Sequence, residues 1–148
     1  MSVKYILYNP LSCNGKGTEL AKKLAEIYKD DELKYCNMTQ ISGYGTFFDS
    51  ISPESDIVLC GGDGTLNRFI NDSDGYPYEN PLYYYGTGSG NDFLRDLGME
   101  QGCEPVRINE YVRNLPIVTV NGKSSRFINA IGYGIDGYCC EKGDELRE

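Results

Sequence analysis

The sequence contains no histidine and no tryptophan. Without imidazole, Ser-His-Asp and Cys-His catalysis are excluded, and so is every zinc site that uses histidine. Acid–base chemistry must therefore be carried by carboxylates or by the substrate itself. The 6 cysteines show no CxxC spacing, which favours buried free thiols in a reducing compartment over disulfides or zinc.

Long apolar runs and basic clusters are missing as well. No stretch approaches the ~20 apolar residues of a membrane span, and the N-terminus lacks the apolar core of a signal peptide. The net charge of −8 is spread along the chain. Because nucleic-acid binding needs a basic patch, we expect no nucleic-acid partner. From the missing span and signal peptide, we expect a cytoplasmic protein.

The residues that are present have a globular composition. The chain has 148 residues, of which 40% are hydrophobic and 24% are charged. This length suffices for one compact domain, or for one domain and the start of another.

Apolar strands alternate with amphipathic helices over the first hundred residues. We predict strands at 3–8, 33–38, 56–60 and 82–85, and helices at 19–30 (with Thr18 as N-cap), 44–51, 65–71 and 92–97. This order predicts an α/β fold with a doubly wound, mostly parallel sheet. In such sheets ligands bind at the loops that follow the strands, and three of these loops are glycine-rich.

After about residue 103 the pattern changes. Residues 114–120 and 125–131 flank the turn pair Asn121-Gly122, which predicts a β-hairpin. We therefore predict an α/β nucleotide-binding domain at 1–103 and the beginning of an incomplete, β-rich second domain at 104–148.

In chain order, the three glycine-rich loops are NPLSCNGKG at 9–17, GGDGT at 61–65 and GTGSGND at 86–92. The second loop joins a buried strand to an amphipathic helix. Backbone N–H groups at such a place suit an anion, yet the loop carries the carboxylate of Asp63. Glycines alone would fit a tight turn without a ligand, and Asp63 could cap a helix. The P-loop pattern fails because Gly17 follows Lys16, and GxGxxG fails because Asn91 takes the place of the third glycine.

The other two loops also combine turn residues with polar groups. The third loop, GTGSGND at 86–92, offers backbone donors, two hydroxyls and the pair Asn91-Asp92, which could instead cap a helix. The first loop, NPLSCNGKG at 9–17, gives the weakest signal, since Asn9 and Ser12 could shape a turn and Lys16 could be a solvated charge.

Together these motifs resemble the catalytic domain of the diacylglycerol kinase family, which is similar to sphingosine and ceramide kinases. The resemblance is carried by Asn9, Pro10 and Ser12, by GGDGTLN (61–67), by GSGNDFLRDLG (88–98) and by FINAIGYGIDG (127–137). GGDGT alone would also fit NAD kinases, but GSGNDF separates the two. The resemblance implies a two-domain kinase that binds ATP between an α/β domain and a β-sandwich-like domain. With Mg²⁺, it would transfer the γ-phosphoryl group to a lipid hydroxyl such as that of diacylglycerol.

The resemblance also implies roles for individual residues. Asp63 would be catalytic, acting on metal or proton, and either Asp63 or Asp92 would reach Mg²⁺ through water, with other ligands beyond residue 148. The implied nucleotide-binding residues are Asn9, Gly62, Asp63, Gly64, Thr65, Gly88, Ser89, Asn91 and Asp92. Two departures stand out: Cys13-Asn14 follow Ser12 where the family tends to have glycine, and Ser89 takes a position often held by threonine.

Two other functions remain open at this point. One is a kinase for a soluble acceptor such as NAD, and the other is a nucleotide-binding regulatory module without turnover. For the lipid kinase, the resemblance implies a lipid acceptor and a transient, peripheral contact of the full-length protein with the membrane surface.

Overall fold

A computed structural model of the chain describes residues 2–100 and 104–131. Within these ranges the strands are β1 (Val3–Tyr8), β2 (Glu32–Asn37), β3 (Asp56–Gly61), β4 (Leu82–Gly86), β5 (Val106–Arg107), β6 (Ile117–Val120) and β7 (Lys123–Arg126). The helices are α1 (Ser12–Gly15), α2 (Gly17–Lys22), α3 (Leu24–Ile27), α4 (Tyr44–Ser50), α5 (Asp63–Asp72), α6 (Asp92–Asp96) and α7 (Asn109–Val112). A single 3-10 turn, Met38–Gln40, follows β2.

The main sheet has five strands in the order β2-β1-β3-β4-β5. The first four are parallel, and β5 pairs antiparallel with β4. The prediction of a mostly parallel α/β sheet is confirmed. From β1 the chain moves outward to β2 and then returns to β3 on the other side of β1. Such a reversal of strand order opens a crevice at the carboxyl ends of the two central strands.

Both faces of the main sheet are covered, which explains why its central strands are continuous apolar runs. Successive residues point to opposite faces. Ile6 and Val58 pack with Leu24 under α2 and α3, whereas neighbouring side chains such as Leu59 pack on the other face against α4, α5 and α6. The crevice is therefore built on a pair of strands whose side chains are largely buried.

The helix predicted at 19–30 with Thr18 as N-cap differs from the structure in three respects. It is divided into α2 and α3 at Lys23, it ends at Ile27, and Thr18 lies inside α2, whose N-cap is Lys16 without a capping side chain. The reason for the early start lies in the first loop: Gly17 packs so closely on the carbonyl of Asn9 that no Cβ fits there. This contact draws residue 17 into the first turn of the helix.

A cluster of charges around the buried side chain of Lys4 lies at the amino ends of the central strands, away from the crevice. Lys4 is 8% exposed, and its Nζ lies 2.5 Å from Asp56 Oδ2 and 3.6 Å from Asp31 Oδ2. Burial alone would lower the pKa of Lys4, but the hydrogen bond and charge of Asp56 raise it above its ordinary value. The pKa of Asp31 is lowered, chiefly by the backbone N–H of Ser2 and further by Lys4. The cluster ties the starts of β1 and β3 together.

The predicted hairpin forms, but its first strand is shorter than the predicted 114–120, and its second strand, predicted at 125–131, lies at Lys123–Arg126. Asn121 and Gly122 have φ of 50° and 76°, as a two-residue turn between twisted strands requires. Strands β6 and β7 form a separate two-stranded sheet. The hairpin is attached to α5, because the Asn71 side chain donates to the backbone carbonyl of Arg126 and accepts from its N–H.

Some predictions concern residues outside the described ranges. These include the end of the FINAIGYGIDG motif, at 132–137, and Cys103, Cys139 and Cys140. The boundary at residue 103 stays a prediction, although β5 beyond it joins the main sheet. Among the described residues, Cys13, Cys36 and Cys60 are free thiols, of which Cys60 is buried. None of the helices there has the length and apolar character needed to cross a membrane.

Candidate functional site

A crevice of about 820 Å³ opens where β1, β3 and β4 end. All three glycine-rich loops contribute to its walls. Of the predicted nucleotide-binding residues, those that line it are Asn9, Gly62, Asp63, Gly64, Thr65, Gly88 and Ser89. Asn91 and Asp92 stand behind this wall, in the segment that leads into α6. The prediction that the three loops meet in one crevice therefore agrees with the structure.

The carboxylate of Asp63 links the second loop to the third. Asp63 is the first residue of α5, but its oxygens accept hydrogen bonds from the start of α6. The backbone N–H of Asp92 donates to Oδ2 at 2.8 Å, and that of Phe93 donates to Oδ1 at 3.3 Å. Asp63 is thus a capping acid, but for the next helix rather than its own. Each oxygen retains a second lone pair for a ligand or a water molecule.

The same two loops are in backbone contact beside Asp63. The N–H of Thr87 donates to the carbonyl of Gly61 at 2.9 Å, which extends the pairing of β3 with β4. A Cβ added at Gly88 would lie 2.7 Å from the Cα of Gly62, closer than real Cβ atoms approach. Glycine at position 88 is therefore required for the two main chains to meet.

In the first loop, the polar groups form a turn. Asn9 Oδ1 accepts from the N–H of Leu11 at 3.0 Å, and the Asn9 carbonyl accepts from the Ser12 hydroxyl at 2.7 Å. Asn9 and Ser12 therefore do shape a turn, and both residues also line the crevice. Positive charge at the crevice comes from Lys16 and from Arg68 of α5. Sequence reasoning missed Arg68, whose only signal was its position one turn after Thr65 on the same helix.

Cys13 ties the first loop to the third. Its Sγ donates to the carbonyl of Thr87 at 3.2 Å and lies 3.5 Å from the Thr87 hydroxyl oxygen. Cys13 and Asn14 have φ of 54° and 57°, and Gly15 continues the run with φ of 80°. Left-handed backbone favours glycine, so Cys13 and Asn14 adopt a conformation that is uncommon for their residue types. Sequence reasoning treated this cysteine only as an interruption.

Asn91 supports the third loop from behind. It is 3% exposed, has a left-handed backbone with φ of 50°, and forms the N-cap of α6. Its Nδ2 donates to the carbonyl of Gly88 at 2.7 Å, while its Oδ1 is buried without a hydrogen-bond partner among the described residues. Asp92 is exposed, and its carboxylate pairs with Arg95 at 3.1 Å. Of these two, only Asn91 shapes the loop with its side chain.

Comparison with known proteins agrees with this geometry. The sequence model of the diacylglycerol kinase catalytic domain matches residues 4–120, which include all three loops. The chain belongs to this lipid kinase family. It is 32% identical over 141 residues to a diacylglycerol kinase of Bacillus subtilis (strain 168), an alignment that covers 87% of the chain and 45% of that protein. The chain therefore spans less than half the length of this relative.

Two potentially ionisable side chains, Cys60 and Tyr84, lie buried in β3 and β4, the strands that lead into the second and third loops. Burial raises the pKa of Cys60 to about 12. It also raises the pKa of Tyr84 well above its ordinary value, and the charge of Asp63 adds to the rise. Both groups are therefore neutral near pH 7, and neither serves as a base. Among the described residues that line the crevice, Asp63 is the only carboxylate.

The kinase family in general implies ATP and a divalent metal. The groups that line the crevice suit a nucleotide better than a metal ion without its nucleotide. No group of three or more acidic or cysteine side chains in the described ranges is arranged to hold a metal. Mg²⁺ in kinases is usually bound through one or two carboxylates, water and the phosphates of the nucleotide. Asp63 can supply one such carboxylate. The close approach of Gly62 and Gly88 and the backbone groups beside them leave room for a polar ligand against the second and third loops.

Proposed function

We propose that the chain is the nucleotide-binding part of an ATP-dependent lipid kinase, with a lipid hydroxyl such as that of diacylglycerol as acceptor. The observation that carries this proposal is the convergence of three glycine-bearing loops on one crevice, cross-linked by Asp63, in a chain of the diacylglycerol kinase family. The named activity of the Bacillus subtilis relative favours diacylglycerol as the first acceptor to test.

The phosphates of ATP would lie against the second and third loops. Helix α5 has ten residues, and the first N–H groups of a helix have no acceptor within it. Those of Gly64 and Thr65 border the crevice and are suited to phosphate oxygens. Lys16 and Arg68 add positive charge in a chain whose net charge is −8. Phosphoryl transfer depends mainly on such positioning and charge stabilisation.

Asp63 is the proposed catalytic residue. Its carboxylate is fixed by two backbone N–H donors and retains lone pairs toward the crevice. From there it can accept the proton of the acceptor hydroxyl or orient a water molecule. Mg²⁺, when bound, would neutralise phosphate charge, with Asp63 as the protein group that holds it, directly or through water. The sequence and the geometry leave both roles of Asp63 in place.

The deciding experiment offers ATP and Mg²⁺ to a natural protein that contains this chain, with short-chain diacylglycerol and NAD as parallel acceptors. We expect phosphate on diacylglycerol and none on NAD. Phosphorylation of NAD alone would refute the lipid kinase and leave the soluble-acceptor kinase. The Asp63→Asn variant should lose most of the turnover, with Asp96→Asn, an acid at the end of α6 that does not line the crevice, as the matched control.

A second candidate is a nucleotide-binding module without turnover. It is favoured by one observation: Asp63 is the sole carboxylate among the described residues of the crevice. Calorimetric titration with ATP, with and without Mg²⁺, separates the two candidates when it is read beside the transfer assay. Tight ATP binding without transfer to any acceptor would support the module, whereas measurable transfer would exclude it.

A further inference from the structure

A second cavity, of about 440 Å³, lies at the far end of α5. Its walls come from the end of α5, the segment at 75–79, the region of β5 and α7, and Arg126 of β7. It shares no lining residue with the crevice, which sits at the beginning of α5. Its volume is within the range of small-molecule sites, roughly 300–1,000 Å³.

Three guanidinium groups line this second cavity. Arg107, Arg113 and Arg126 account for half of the arginines in the sequence, and they come from three different elements. The acidic side chains in the wall are Asp74 and Glu79, so the lining has a net positive charge in a chain of net charge −8. Arginine clusters of this kind are typical of sites that bind phosphate or carboxylate.

One of the three arginines is fixed in position. Arg126 Nε donates to Asp74 Oδ1 at 2.9 Å, and its Nη1 donates to the carbonyl of Leu115 at 3.1 Å. Its backbone is bound on both sides by the Asn71 side chain, at 2.8 and 3.0 Å. Arg126 thus neutralises Asp74 and still has guanidinium donors left, since arginine carries five N–H groups.

The other two arginines have more donors to offer. Arg107 uses Nε toward Asn109 Oδ1 at 3.3 Å, and Arg113 has an exposed ion pair with Glu110 at 3.7 Å. Exposed pairs of this kind contribute little, about 0–1 kcal/mol, so an incoming anion competes with them easily. Glu79 is the one acid of the wall that repels an anion, and it is exposed to solvent.

The lining also includes apolar and aromatic side chains. Ile70, Pro77, Tyr78 and Val112 line the cavity, and Tyr78 packs on Phe48 with ring centroids 4.6 Å apart. A ligand for this site would therefore have an anionic group for the arginines and an uncharged part for these side chains. A phosphate monoester combines high charge with three acceptor oxygens, which three guanidinium groups satisfy better than one carboxylate does.

We infer that this cavity, defined by Arg107, Arg113 and Arg126, is a second binding site for a phosphate monoester. The ester belongs either to a small soluble molecule or to the headgroup of an anionic lipid. The site is independent of the proposed function, because none of its residues lines the crevice.

The test measures binding of glycerol phosphate to the 15N-labelled chain through the arginine side-chain N–H signals. Binding should shift the signals of Arg107, Arg113 and Arg126. The double variant Arg107→Gln/Arg113→Gln should weaken this binding by about tenfold or more, since it removes two charged donors. The control Lys29→Gln/Lys123→Gln removes the same charge from exposed positions outside the cavity and should bind like the parent.

A second arm uses phosphatidylcholine vesicles with and without phosphatidic acid. Vesicle binding that needs phosphatidic acid and is lost in the arginine double variant, without binding of glycerol phosphate, assigns the site to a lipid headgroup. Binding of glycerol phosphate with the same variant dependence assigns it to a soluble ester. The inference is overturned if neither probe binds, or if binding is equal in the arginine variant and the lysine control. Loss of kinase activity plays no part in this readout.

Discussion

Replacing Asp63 by alanine should loosen the connection between the second and third loops. The substitution removes both acceptors for the N–H groups of Asp92 and Phe93, now at 2.8 and 3.3 Å. Hydrogen bonds to a charged acceptor contribute about 1.5–3 kcal/mol each, and the lower end applies here because the donor at Asp92 is exposed. The longer bond counts for less, so we expect a loss of about 2 kcal/mol in the free energy of unfolding. For a domain of this size that lowers the melting temperature by about 5–10 °C.

Urea and thermal unfolding followed by circular dichroism measure this loss. The matched control is Asp92→Asn, because the carboxylate of Asp92 makes only the exposed pair with Arg95, while its backbone N–H stays in place. The control should change stability by less than about 0.5 kcal/mol. Equal stability of Asp63→Ala and the parent, or an equal loss in Asp92→Asn, would refute the role of Asp63 as a cap for α6.

Three further predictions follow from the packing and the charges. Gly88→Ala forces the two loops apart, since its Cβ would lie 2.7 Å from Gly62 Cα; we expect a loss of about 1–3 kcal/mol in urea unfolding and weaker ATP binding in calorimetry. Lys4→Met removes the cation from two partly exposed carboxylates and should cost about 1–2 kcal/mol at pH 7, which chemical denaturation measures. The folded-state pKa of Asp31 is lowered, chiefly by Ser2 and further by Lys4, so the stability that this carboxylate contributes is complete above its unfolded pKa and is lost as the pH falls through the folded value. In acid unfolding, only the smaller part of this loss that depends on Lys4 should disappear in Lys4→Met. Because burial raises the pKa of Cys60 to about 12, peptide mapping after brief iodoacetamide treatment at pH 7.5 should find this thiol unlabelled in the native chain and labelled in urea.

The strands of the main sheet were predictable because both faces of the sheet are buried. A strand covered on both sides appears as a short, uninterrupted apolar run, and DIVLC corresponds to β3 (Asp56–Gly61) within one residue. Strand β5 was missed because it has two residues, too few for any periodicity. The early start of α2 at Gly17 was missed because its cause, the contact of Gly17 with Asn9, is made between loop atoms and leaves no pattern.

The position of the candidate site was predictable, and its internal connections were not. Parallel strands bring their following loops to one edge of the sheet, so three glycine-rich loops were expected to meet. The hydrogen bonds that fix them join residues far apart in sequence: Asp63 binds the backbone 29 residues later, and Cys13 binds a carbonyl 74 residues later. Backbone N–H and carbonyl groups are not specific to a residue type, so no sequence motif could have identified these hydrogen-bond partners.

The cap on α6 gives a physical reason for a carboxylate in a loop suited to phosphate. A carboxylate repels phosphate, but two N–H donors offset its charge and hold it at the start of α6. A role as cap and a role in catalysis then make different predictions for Asp63→Asn. The asparagine keeps one acceptor and the shape of the side chain, so at a temperature well below melting the loops should remain joined. If the cap were its whole role, turnover at that temperature would be close to that of the parent. We expect turnover to fall by about 100-fold or more while ATP binding changes little, because an amide accepts no proton and binds metal weakly.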